Sequence, residues 1–176
     1  MRDESVIAGG ISGAITDPNS EAAQAHAKMY YEEIRHMNTD VKKIANNTEF
    51  SESQIMLVKT YLFIAEHNLN GSFRRFDECF EIAESWKRLA FDKKNIQKHD
   101  ITLIKHELKE LALVAQGVPQ EEAHVISSQE FNYSKEYKEY YKKLGIKQQK
   151  KDISKISGGV TITKDNSNIF EEYTRW

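Results

Sequence analysis

The chain has 176 residues, 39% of them hydrophobic and 30% charged, with a formal net charge of −2 at pH 7. That length fits one domain with a sizeable core, and a near-neutral charge argues against a nucleic-acid binder over the whole surface. The single cysteine, Cys79, excludes an internal disulfide and a multi-cysteine zinc site, and no run approaches the roughly 18 apolar residues of a bilayer span.

Residues 1–19 read as a small-residue linker, with Gly9-Gly10 and Gly13 ahead of the turn Asp17-Pro18-Asn19-Ser20. Val6 to Ala14 is too short and glycine-rich for a secretory leader, so no signal peptide is expected. Ser20 is placed to cap a helix carrying Met29, Tyr30, Ile34 and Met37 on one stripe. A shorter helix restarts at Thr39 or Asp40. Ser51 with Gln54 makes a capping-box pattern, opening an apolar helix (Ile55, Val58, Leu62, Ala65) that should lie in the core and stop near His67. Phe73-Arg74-Arg75-Phe76 reads as a short extended piece. A helix beginning near Asp77 carries Cys79, Ile82, Trp86 and Leu89 on its apolar side. Asp100 is placed to cap the next helix and Gly117 to end it, and Pro119 opens another through about Gln129. Ser134 caps a last helix that Gly145 should end. The prediction is an all-α single domain of six or seven helices over residues 20–146. An irregular extension follows over 147–176, with Gly159-Val160-Thr161-Ile162-Thr163 as a short strand.

Half of the six histidines fall between His99 and His124, among acids. Such side chains hold divalent metals or move protons near neutral pH. On a helix of about 100° per residue, Ile101, Ile104, Leu108 and Leu111 form the apolar stripe and Lys105 and Lys109 the wet face. Glu107 falls at the edge of that stripe. His106 and Glu110, four apart, share a face and can bind one ion or each other. His106-Glu107-x-x-Glu110 is the zincin pattern His-Glu-x-x-His with its second histidine replaced, and His124 or His99 would complete a three-ligand site. Each member has a plainer reading: His106 and Glu110 as an i,i+4 surface pair, Asp100 as a helix cap, His99 as a loop residue. Their convergence is what marks the region as a functional site.

Two further groups stand beside it. Glu84 and Arg88 lie on the polar side of the preceding helix, either as a ligand and an anion clamp or as an i,i+4 pair on a solvated face. Residues 133–151 interleave tyrosines with lysines, and Lys138, Tyr141 and Lys142 are the candidates for holding a nucleic-acid backbone and its bases. The plainer reading turns the tyrosines inward and the lysines outward.

The segments Tyr30-Tyr31 to Ile44, Ala83-Glu84-Ser85-Trp86-Lys87-Arg88-Leu89, His99-Asp100-Ile101-Thr102-Leu103 to His106-Glu107, and Glu122-Ala123-His124 through Tyr133 resemble a C-terminal effector domain of bacterial polymorphic toxins. Such domains end long secreted or phage-head-associated proteins. The resemblance covers roughly residues 20–140 and implies a toxin module, an upstream delivery domain, a cognate immunity protein and action in the cytoplasm of a target cell. It does not fix the reaction.

The leading expectation is a hydrolase acting on nucleic acid, with His106, Glu107 and His124 at its centre and His99, Asp100, Glu110 and Glu84 around them. In a metal-dependent version, imidazoles and carboxylates (Glu110 and Glu84 among them) hold zinc or magnesium, and a remaining Glu deprotonates water. In a metal-free version, two histidines act as acid and base on an RNA 2′-hydroxyl. The alternatives are a non-enzymatic phage structural or adaptor module with a buried His/acid network, and a degenerate zincin-like metallopeptidase.

Overall fold

The structure, a computed structural model, describes residue 15 and residues 17–155. The predicted strand at 159–163 and residues 1–14 of the predicted linker lie outside the described residues. Within them the chain is all-α: seven α-helices and one two-stranded hairpin. In order these are α1 (Glu21–His36), α2 (Asp40–Asn47), α3 (Glu52–Lys59), β1 (His67–Leu69), β2 (Ser72–Arg74), α4 (Phe80–Phe91), α5 (Lys98–Ala115), α6 (Gln120–Glu130) and α7 (Tyr133–Lys155).

The helix ends follow local chemistry. Ser20 accepts from the Ala23 amide, and Ser51 and Gln54 form the reciprocal capping box. At the end of α5, Gly117 takes φ 93°, its amide bonds the Val114 carbonyl and the Val118 amide bonds Leu113. This is a Schellman stop, and a side chain with a β-carbon would strain that φ. Four boundaries differ from expectation. The helix expected from Asp77 begins at Phe80, with Cys79 as its N-cap residue. Asp100 lies inside α5 and accepts from the Gln97 amide at 2.8 Å, so Gln97 and not Asp100 is the boundary residue. Asn132, not Ser134, caps α7 through the Lys135 amide. Gly145 does not end α7, which continues to Lys155. A helical glycine costs about 1 kcal/mol relative to alanine, too little to break a helix whose following residues are Lys and Gln.

The core joins α1 to α5 and α7 around Trp86, Tyr30, Tyr31, Phe63, Leu89, Leu103 and Ile104, all wholly or almost wholly buried. Asp40 anchors it from α2, accepting from Lys59 Nζ at 2.8 Å and from Trp86 Nε1 at 2.9 Å, while Lys59 also donates to the Met37 carbonyl. Three helices are thereby pinned to one buried carboxylate whose charge is paired and hydrogen-bonded. Tyr133, Tyr137 and Tyr141 of α7 point into this core, and Lys135, Lys138, Lys142 and Lys143 face solvent.

Between α3 and the hairpin the chain makes a π-helical turn, Thr60–Ile64, closed by the Ala65 amide on the Thr60 carbonyl at 2.8 Å. One extra residue in a turn rotates the following side chains around the helix axis, and such turns recur at functional sites. Here it sets Tyr61 against α5. His67 of β1 bonds the Tyr61 carbonyl at 2.8 Å and stacks on Phe76, and both rings lie edge-on to Tyr61.

Candidate metal centre

α5 and α6 run antiparallel through the tight turn at Gly117, which lays His124 over the face of α5 that carries His106 and Glu110. The three side chains meet at one point. His106 Nε2 is 2.9 Å from Glu110 Oε2, His124 Nδ1 is 3.1 Å from the same oxygen, and the two imidazole nitrogens are 3.2 Å apart. His106 and Glu110 are fully buried, and His124 keeps 17% of its side chain exposed, so the point is reached from the α6 side.

Two of the three, His106 and Glu110, are also held from behind. His106 Nδ1 lies 3.0 Å from the Phe131 carbonyl, which can only accept, so the proton of a neutral His106 sits on Nδ1. The second oxygen of Glu110 accepts from Tyr61 Oη at 2.6 Å and from Gln120 Nε2 at 3.1 Å. With its Nδ1 proton committed, His106 turns the Nε2 lone pair towards a carboxylate oxygen. Two lone pairs at 2.9 Å repel unless a cation, a proton or a metal ion, lies between them. In the plane of the three atoms, the equidistant point lies about 1.8 Å from each, and about 1 Å out of plane that distance reaches roughly 2.0 Å, the Zn–N and Zn–O range. Two imidazoles with one carboxylate is a catalytic zinc ligand set, and bonds such as those from Phe131, Tyr61 and Gln120 orient ligands of this kind.

The remaining predicted residues fall elsewhere. Glu107 is wholly buried beside His106 but does not belong to the triangle of ligand atoms. His99 and Asp100, at the opposite end of α5, are caught by Arg88 of α4. Its guanidinium grips Asp100 through Nε and Nη2 at 2.9 and 2.8 Å, and Nη2 donates to His99 Nε2 at 3.0 Å. Burial and the neighbouring Arg88 push His99 down to about 4, against the pull of Asp100, so the ring is neutral. Tyr140 lies 4.9 Å from the His99 ring and under the guanidinium. Glu84 does not reach the centre: it pairs with His26 of α1 at 2.7 Å, and against the upward push of burial that bond and the nearby Lys87 and Arg88 charges hold its carboxyl below its ordinary value. Lys138 and Lys142 are exposed and Tyr141 is buried beneath them. Thr102 bonds Glu136 and His99 packs on Tyr140, so α7 carries these lysines away from His106. Cys79 has its thiol pushed well up by burial, as an inert packing residue. Two members of the site were missed from the sequence, Tyr61 and Gln120. The Gln120 position next to Pro119 is a local signal; Tyr61 has none.

Compared with protein-family models, with curated proteins and with solved structures, the chain matches none. The site therefore stands on its own geometry.

Proposed function

We propose that the protein is a metal-dependent hydrolase whose divalent ion is held by His106 Nε2, His124 Nδ1 and Glu110 Oε2. One observation carries this: three ligand atoms from two helices lie within 3.2 Å of one another, and two of the three side chains are anchored from behind by further hydrogen bonds. The donor set favours zinc over magnesium, which takes oxygen ligands and keeps its waters. Three protein ligands leave a coordination position, and an ion there supplies an acidified water and polarises a carbonyl or phosphoryl oxygen. His99 and Asp100, gripped by Arg88, hold α4 to α5 and take no part in this chemistry. The biological setting we propose is the toxin-like effector module that the sequence resembles, kept in check by an immunity protein.

The test is zinc titration followed by native mass spectrometry, with hydrolysis of p-nitrophenyl acetate and bis(p-nitrophenyl) phosphate as a readout indifferent to natural substrate. One zinc per chain, with hydrolysis that chelation abolishes and zinc restores, supports the reading. The burial of His106 and Glu110 favours a second reading, a polar network in a structural or adaptor module. It predicts no zinc and no hydrolysis.

A further inference from the structure

Tyr61 has two sides. Its hydroxyl bonds Glu110, and its ring forms a wall of a groove of about 220 Å³ lined by Met56, Leu57, Thr60, Ala65 and Leu111. Met56 and Leu57, adjacent on α3, are 50% and 55% exposed. Leu111 follows Glu110 directly on α5. Groove and candidate centre thus share a wall and a helix turn.

The charge around the centre does not suit a polyanion. The first turn of α6 exposes Glu121 and Glu122, Lys109 is engaged by Glu130, and Lys138 and Lys142 of α7 lie towards the far end of α5, where Tyr140 packs on His99. What the surroundings offer is an apolar recess of single-side-chain size and, next along the chain, a hairpin whose strands, among the described residues, pair only with each other. Ser72, Phe73 and Arg74 on β2 are all exposed. An extended peptide can add to such an edge while a side chain fills a recess.

We infer that the groove is the subsite for a large apolar side chain of a peptide substrate, and that the centre hydrolyses a peptide bond beside it. This rests on the hydrolase reading above. In the reaction, the oxygen of a water molecule bonds to the peptide carbonyl carbon, the C–N bond breaks, and a proton from that water goes to the leaving amine. No co-reactant other than water is consumed.

The experiment incubates the zinc-loaded full chain with a peptide mixture from a digested proteome and, separately, with RNA and DNA. Cleavage sites are read by mass spectrometry. Leu, Met or Phe should recur at one fixed position beside the cleaved bond. Leu57→Glu, at a half-exposed site that folding does not need, should lower kcat/KM for those peptides at least tenfold with zinc content unchanged, and shift preference towards Lys or Arg at that position. Met56→Glu serves as the second variant. Cleavage without an apolar preference, a preference unmoved by both variants, or cleavage of nucleic acid alone would overturn the groove assignment. In each of those cases zinc binding and ester hydrolysis persist. A wild-type protein that binds no zinc and hydrolyses neither activated ester overturns the parent reading, and this inference with it.

Discussion

The two ends of α5 carry the same kinds of side chain and do opposite things. At its N-terminal end, His99 and Asp100 face Arg88, and the cation they need is part of the chain. At the other end, His106, Glu110 and His124 bring two imidazoles and a carboxylate to one point, and the cation that would sit among them is a proton or an ion from solution. Histidine and acid clusters therefore divide by what completes them. One completed by a guanidinium is a clamp between helices; one whose lone pairs converge is a binding site. The contrast predicts that damage to the first costs the fold, and damage to the second costs the ligand.

The largest effect should come from Asp100→Ala, which leaves the Arg88 guanidinium buried without its carboxylate. Removal of one partner of a buried pair costs about 3–5 kcal/mol, and urea unfolding will measure it. Glu110→Gln, a substitution of the same charge change in the other cluster, should cost much less stability and abolish zinc uptake. If both variants lose the fold equally, the division between clamp and site fails.

Next comes the ligand itself. Zinc at a hundred times its Kd should stabilise the wild type by about 2.7 kcal/mol, read as a rise in thermal midpoint. His124→Ala should show no such rise while retaining its helical circular dichroism, because His124 is the partly exposed member of the three. A zinc-induced shift that survives in His124→Ala would place the ion elsewhere.

A smaller effect belongs to Tyr61→Phe. The ring stays against His67 and Phe76, and the bond to Glu110 is lost. Zinc affinity should fall about 10–100-fold, the usual consequence of removing a bond that orients a ligand. Competition with a chromophoric chelator measures it, and the absorption spectrum of the cobalt-substituted protein should shift, which a packing defect alone would not do.

These four variants also mark what was legible in the sequence. Helix periodicity placed His106 and Glu110 on one face, and the Gly117-Val118-Pro119 turn folded His124 back onto them, because both are local facts about spacing and turn chemistry. The caps at Ser20, Ser51 and Gly117 were legible for the same reason. The grouping of His99 and Asp100 with His106 was an over-reading of proximity: seven residues put them roughly 10 Å apart along the axis, and Arg88, eleven and twelve positions away, captured them. Glu84 went to His26 across 58 positions, a pairing that no local pattern encodes. Tyr61 was invisible since a π turn changes which face a side chain occupies, and nothing in Thr60-Tyr61-Leu62 announces it. The hairpin at 67–74 has strands of three residues, too short for alternation to show.

The subtlest way to sharpen the comparison is pH. Arg88 Nη2 donates to His99 Nε2, so the clamp needs a neutral imidazole, and burial together with Arg88 holds its pKa at about 4 against an ordinary value of 6.5. A histidine with a depressed folded pKa gives up stability as pH falls, because between about 6.5 and 4 the unfolded chain takes a proton that the folded chain refuses. Above that window both states are neutral, and below it both are charged, so the contribution is flat on either side. The slope within the window is at most about 1.4 kcal/mol per pH unit for one proton. His99→Gln, which keeps a polar group beside Arg88 and Asp100 but does not titrate, should flatten the unfolding free energy by up to that slope between pH 6.5 and 4 and leave zinc uptake at pH 7 unchanged. An unaltered pH profile would mean that His99 is not held neutral by the clamp. A loss of zinc uptake would mean that the two ends of α5 form one site.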